Sequence, residues 1–407
     1  MTPLDQDFLR DSFPALGRSQ VFLDNAGGSQ IARQVVERMS EFLYGSNVQL
    51  GATYAASALA GERVAEGRAA LALMLNAASP AEVVLGSTST ELFDRLARAL
   101  VQTWSPGDEI IVTEFDHEAN ISPWLRLAAL GIEVRTWRLR PGEFEPRLED
   151  LEALLSPRTR LLAVTHVSNI FGGINPVREM ADLVHAAGAR ICVDGVAYAP
   201  HRAVDVQALD ADFYGFSVYK TFGAHFAALY GKMEALLEAG GVNHAFIPND
   251  AVPQKMEPGN APHEVAYSCA GVVAYLEDLA QAHGVNASGR AAVEAAFALI
   301  AEHEEAISAR LLSWLASRPD ATLYGNPSPD RARRVPTVSF TLEGRRSRDV
   351  VEATDQTGLG IRFGDFYSRR LIAALGLPEG DGVIRVSAAH YNTLDEIDAL
   401  IRHIDSL

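Results

Sequence analysis

VDGVAYAPHRAVDVQALDADFYGFSVYK, residues 193–220, contains the ends of two apolar β-rich runs, and each run is finished by residues that carry chemistry. The run ARICV (189–193) ends at Asp194, and DFYGF (212–216) leads into Ser217 and Lys220. Outward from this stretch, similar short runs recur at EVVL (82–85), EIIVT (109–113), IEVRTWR (132–138), RLLAVTH (160–166) and FAALY (226–230). Helical patterns lie between them: ELFDRLARALVQTW (91–104), and PVREMADLVHAAG (176–188), which Pro176 opens and Gly188 closes. Strands alternating with helices predict an α/β fold, a mostly parallel seven-stranded sheet covered by helices on both faces. In such sheets ligands bind at the carboxyl ends of the strands, where Asp194 and Lys220 are expected.

After about residue 285 the texture changes to a long Ala/Glu-rich helical stretch (288–317), followed by the strand-like TVSFTLEG (337–344), GIRFG (360–364) and VIRVSAAHYNT (383–393). The expected division is a large domain over 21–285 and a smaller C-terminal α+β domain over 286–407, with residues 1–20 packing on the small domain. A chain of 407 residues is long enough for two domains sharing a cleft. Its net charge of −17 opposes binding to nucleic acid or to anionic membrane surfaces. No run approaches the roughly 18 apolar residues needed to span a bilayer, and MTPLDQDFLRDSFPALG has no signal-peptide pattern, so a cytoplasmic protein is expected. The two cysteines, Cys192 and Cys269, have no metal-ligand spacing and read as buried small hydrophobes, and no metal is expected.

Among 35 basic residues only three are lysines, Lys220, Lys232 and Lys255. Lys220 follows the apolar run DFYGF within SVYKTFG (217–223), a setting that lowers an amine pKa and favours imine formation, and Lys232 and Lys255 have no comparable setting. Asp194 at its strand end suits pairing with a protonated ring nitrogen, and equally suits a turn or helix cap. Gly86-Ser87-Thr88-Ser89-Thr90 leads small hydroxyl residues into a helix start, which can hold a phosphate or simply cap the helix. His117 and Asn169 lie just beyond two further strands, where backbone could satisfy either.

The order of these features resembles the class V aminotransferase and cysteine desulfurase group of fold-type I enzymes that use pyridoxal 5′-phosphate (PLP). The resemblance runs from FLDNAGGSQ (22–30) to VIRVSAAHYNT (383–393), and is most specific at DHEANISPW (116–124), THVSNIFGGINP (165–176), the 193–220 stretch and GIRFG (360–364). It implies that Lys220 forms the Schiff base and moves protons, that His117 stacks on the cofactor ring, and that Asp194 pairs with the ring nitrogen. Asn169 would contact the ring hydroxyl or the substrate, while Ser89, Thr90 and Ser217 would hold the phosphate. Asn260, in EPGNAP (257–262), matches a segment that reaches the neighbouring subunit's phosphate, so a homodimer with its site at the interface is implied. Arg385 would grip the α-carboxylate of an amino-acid substrate, with Arg362 in the facing loop.

Three positions depart from the family pattern. Tyr367 stands where desulfurases carry the persulfide-forming cysteine, Ala197 replaces a Gln, and Tyr219 replaces the His before the lysine. The implied activity is therefore a desulfurase-like C–S lyase acting by β-elimination without a persulfide cysteine, with Tyr367 a candidate catalytic residue. An aminotransferase or epimerase is the alternative, and a non-catalytic relic of the fold is a third.

Overall fold

Seven strands form the main sheet, in the spatial order Val83–Gly86, Ala227–Gly231, Phe213–Ser217, Arg190–Asp194, Thr159–Thr165, Glu109–Thr113 and Glu133–Trp137. A computed structural model describes residues 4–407. Each strand falls within a residue or two of its apolar run in the sequence. Only Ala227–Gly231 runs antiparallel to its neighbours, so all other strands end at one edge of the sheet. Four of the strands, Val83–Gly86, Glu109–Thr113, Phe213–Ser217 and Ala227–Gly231, are buried throughout, because helices cover both faces.

The helix Ser89–Leu100 shows how the chain builds this layer. Thr88 caps it by accepting the Glu91 N–H at 3.1 Å, and Leu92, Phe93, Leu96 and Leu100 make the buried stripe. The stripe lies so close to the sheet that a Cβ on Gly215 would stand 2.6 Å from the Phe93 ring. The Val177–Ala186 helix begins after Pro176 and stops before Gly188, whose φ of +77° closes the turn.

The small domain is an antiparallel four-stranded sheet in the order Arg362–Gly364, Val383–Ser387, Thr337–Leu342, Ala321–Tyr324, backed by the helices Ser347–Asp355 and Leu394–Ser406. The Gly289–Ala316 helix serves both domains. Ala292, Val293, Ala296, Phe297 and Ile300 lie in the large core, whereas Ile307, Leu311, Leu312 and Leu315 lie in the small one.

Several expectations change here. Val21–Phe22, placed by sequence in the large domain, pairs in parallel with Leu359–Gly360, and Leu23 enters the small-domain core. GIRFG is thus two strand pieces, and Ala321–Tyr324 is a strand that the sequence reading lacked. Two-residue pairings across more than 300 positions have no local periodicity to reveal them. The N-terminal helix Gln6–Ser12 sends Leu9 and the following Phe13 into the large core, where Phe13 meets Phe222 and Tyr275. Phe13 also touches His390 and Tyr391, and Gln20 Nε2 donates to the Gly358 carbonyl at 2.7 Å, so residues 1–20 pack on the large core and meet the C-terminal region at these two places among the described residues. Met1, Thr2 and Pro3 lie outside the described residues.

Candidate functional site

A cavity of about 460 Å³ opens at the carboxyl edge of the main sheet. Because consecutive parallel strands all end there, residues from distant parts of the chain meet in it: Ser89 and Thr90, His117, Asn169, Asp194, Ser217, Lys220 and Tyr367 all line its wall. Lys220 closes a short 3₁₀ turn, Val218–Lys220, directly after the Phe213–Ser217 strand. Ser217 Oγ lies 3.0 Å from Ser89 Oγ, so a strand-end hydroxyl meets a helix-start hydroxyl at the head of the Ser89–Leu100 helix. The first N–H groups of that helix have no intrahelical carbonyl to reach, which favours an anion there.

The electrostatics follow from burying several ionisable groups together. Burial, reinforced by the nearby Arg385 cation, lowers the Lys220 amine to about 8, although Asp194 and Asp24 pull the other way. Burial also lowers His117 to about 4, aided by the charges of Lys220 and Arg385. His117 is therefore neutral near pH 7. Its Nδ1 accepts the Ala119 N–H at 3.0 Å, which leaves the ring proton on Nε2. Asp194 is raised to about 6 by burial, against the opposing effects of the Val196 N–H at 2.9 Å and of Lys220. Beside it the fully buried Asp116 is pushed up by burial and by the Asp194 charge, while its oxygens accept the His117 N–H and the Asn120 amide.

Behind Asp194 the wall is rigid. A Cβ on Gly195 would lie 2.0 Å from the Tyr214 ring, and Tyr214 is hydrogen-bonded to the buried His166, which stacks on Tyr198 at 3.6 Å. Tyr219 and Ala197 also line the cavity, and the Tyr219 ring stacks on His225 with centroids 4.7 Å apart.

The opposite wall is the loop that carries Tyr367. Phe366 and Tyr367 both adopt left-handed backbone, with φ of 50° and 60°, a conformation uncommon for bulky residues and maintained only where the surroundings enforce it. Here the enforcement is visible. Asn169 Nδ2 donates to the Phe366 carbonyl at 3.0 Å, Ser368 Oγ donates to Asn169 Oδ1 at 2.9 Å, and the Glu118 N–H donates to the Tyr367 carbonyl at 2.9 Å. Arg370 adds an ion pair to Glu118 at 2.8 Å. The Tyr367 ring, 67% exposed, lies 5.3 Å from that of His117.

The two arginines sit beside the cavity, not in its wall. Arg385 is 2% exposed; its Nη2 meets Asp24 Oδ1 at 2.7 Å, and the Phe366 ring covers its guanidinium at 3.7 Å. Arg362, across the strand pair, lines an adjoining cavity of about 440 Å³ together with Asp24, Gly27 and Gly28. Asn260 is exposed and does not line the cavity of its own chain. Asn169 differs most from its expected free contact, because its carbonyl and one amide hydrogen are already engaged by the Phe366–Ser368 loop. Sequence reading missed Asp24, Asp116, Glu118 and Phe366. Each lay near a motif already read: Asp24 inside FLDNAGGSQ, Asp116 and Glu118 inside DHEANISPW, and Phe366 just past GIRFG, beside Tyr367. Among the described residues no cluster of His, Cys, Asp and Glu is arranged to hold a metal, and no helix is long and apolar enough to cross a membrane.

Comparison with known proteins agrees with this geometry. The family model for aminotransferase class V matches residues 21–400. The aminotransferase-like protein FGM3 of Gibberella zeae is 44% identical over 97% of this chain and 96% of its own length. The cysteine desulfurase-like protein ustD of Aspergillus flavus is 32% identical over 99% of this chain and 91% of its own. Among solved structures, the cysteine desulfurase CsdA of Escherichia coli superposes with a TM-score of 0.83 and 28% identity, covering 100% of this chain and 98% of that one. A strand-end lysine facing a carboxylate, a neutral histidine and an anion-accepting helix start, on a chain matched over nearly its full length, lead to one conclusion: the chain belongs to the class V aminotransferase family of PLP-dependent enzymes.

Proposed function

We propose that this enzyme is a desulfurase-like C–S lyase that performs β-elimination on a cysteine-derived amino acid and uses no persulfide cysteine. The observation that carries the reading is the pairing of an intact Lys220 and Asp194 with Tyr367 on the facing loop, while neither cysteine lines the cavity. Cys192 is buried within a strand, and burial pushes the Cys269 thiol up to about 12, so neither offers a thiolate.

The residues fit the cofactor. Ser89, Thr90 and Ser217 would hold its phosphate, Asp194 its ring nitrogen, His117 its ring face and Lys220 its aldehyde carbon. When bound, the pyridinium ring draws electron density from the bond broken at the substrate Cα. With a pKa of about 8, the Lys220 amine has an accessible neutral form near pH 7 and takes the Cα proton. Arg385 Nε is buried without a partner, a donor left open for the substrate α-carboxylate. Tyr367 is a proton or hydrogen-bond donor toward the departing sulfur. Overall, the Cα–H and Cβ–S bonds break, and water enters to release a 2-keto acid and ammonium beside the thiol.

The alternative within the family is amino-group transfer, favoured by the 44% identity to an aminotransferase-like protein. Incubating the PLP-loaded protein with cysteine and S-alkyl cysteines separates the two. The lyase reading expects thiol and keto acid in equal amounts with no keto-acid acceptor added; release that depends on an acceptor, with the amino group recovered on it, would overturn it. The reading includes a cytoplasmic homodimer. The exposed Tyr44, Tyr54, Leu43 and Val36, on neighbouring segments at 91%, 52%, 45% and 44% exposure, support a partner surface there. Light scattering of the purified protein tests the dimer.

A further inference from the structure

Arg385 has one conspicuous open donor. Its Nε is buried and unpartnered, while the adjacent Nη2 donates to Asp24 Oδ1 at 2.7 Å and Nη1 to the Asn169 carbonyl at 3.3 Å. Nε and Nη2 together form the fork that receives a carboxylate in two parallel hydrogen bonds. Asp24 thus occupies half of that fork.

The surroundings give Asp24 somewhere else to go. Its other oxygen, Oδ2, lies 3.8 Å from Arg362 Nη1, and Arg362 is 56% exposed. The Asp24 carboxylate itself rests on the bare face of Gly27, where a Cβ would approach Oδ2 to 2.8 Å, and it borders the adjoining 440 Å³ cavity. Its side chain is 29% exposed, so water can follow it as it turns. Phe366 covers one face of the Arg385 guanidinium and keeps that cation in its plane, which leaves the fork edge as the place of exchange.

From this geometry we infer that Asp24 is a competing latch on Arg385, which the substrate α-carboxylate displaces toward Arg362. The inference rests on the reading of Arg385 as the carboxylate-binding residue and deepens it. Asp24 is a positioning residue: it holds the guanidinium in plane when no substrate is present, and its charge sets how strongly a carboxylate must bind to enter. Substrates without that charge do not feel the latch.

The test measures affinity on the PLP-loaded protein through the cofactor's visible band, using L-serine and its isosteric amide, L-serinamide. Asp24→Asn removes the competing charge and should tighten L-serine binding roughly tenfold, the scale of one charge-assisted hydrogen bond, while serinamide affinity stays unchanged. Asp24→Ser, which removes the carboxylate altogether, should give the same split and stands in if the Asn variant melts early. Unchanged or weakened serine binding in folded variants overturns the latch. If the wild type binds serine and serinamide equally well, Arg385 is not the carboxylate site, and the inference falls with that reading.

Discussion

Replacing Asp194 with Asn should make the cofactor-free protein more stable and the enzyme much slower. The carboxyl is fully buried and its pKa is raised to about 6 from 3.8, so folding works against its charged form. For an acid raised in the folded state, the penalty is absent below the unfolded pKa, grows between the two values and is complete above the folded one. At pH 7.5 the full shift of about two units corresponds to roughly 3 kcal/mol, at about 1.4 kcal/mol per unit. At pH 4.5 about 1 kcal/mol remains by the same relation. Asn keeps an oxygen for the Val196 N–H and removes the charge that faces Asp116. Differential scanning calorimetry of the cofactor-free proteins should therefore show a gain of a few degrees at pH 7.5 that shrinks by about two thirds at pH 4.5. With cofactor bound the sign reverses, since the charge then has a cationic partner. Loss of such a preorganised charge should lower turnover by about 10²–10³. A stability gain that is equal at both pH values, or a loss at pH 7.5, would falsify the argument that Asp194 is stored at a cost for the cofactor.

Borohydride reduction followed by peptide mapping should place a pyridoxyl group on Lys220 and none on Lys220→Ala; a label on Lys232 or Lys255 refutes the assignment. Arg385→Ala should weaken amino-acid binding by about 2–5 kcal/mol while PLP stays bound, because a buried charge-assisted contact is lost; equal affinity in a spectral titration removes Arg385 from the site. Tyr367→Phe should slow turnover without releasing PLP, and steady-state kinetics at the wild-type rate would reduce Tyr367 to packing. Replacing Cys192 and Cys269 with Ala should leave thiol release largely intact. Mass spectrometry that finds a transferable extra sulfur on either cysteine of the wild type contradicts the cysteine-independent mechanism.

The sequence by itself determined the seven strands and the residues at their ends. Apolar β-rich runs between helical patterns are local, so their period is readable, and a parallel sheet brings their carboxyl ends to one edge whatever the detailed packing. Lys220, Asp194, His117, Asn169, Ser89, Thr90 and Ser217 were legible for that reason, and the cavity gathers all seven. The tertiary structure alone decided the rest. The Val21–Phe22 pairing with Leu359–Gly360 brings Asp24 to Arg385 across 361 positions, and the left-handed turn at Phe366 and Tyr367 is maintained by hydrogen bonds from Asn169 and Glu118. Contacts of this kind leave no periodic trace, because each depends on one pair of residues meeting after the chain has closed. The pKa values of Lys220 and Asp194 belong to the same class: a strand-end position is written in the sequence, but burial and the charges packed nearby exist only in the fold.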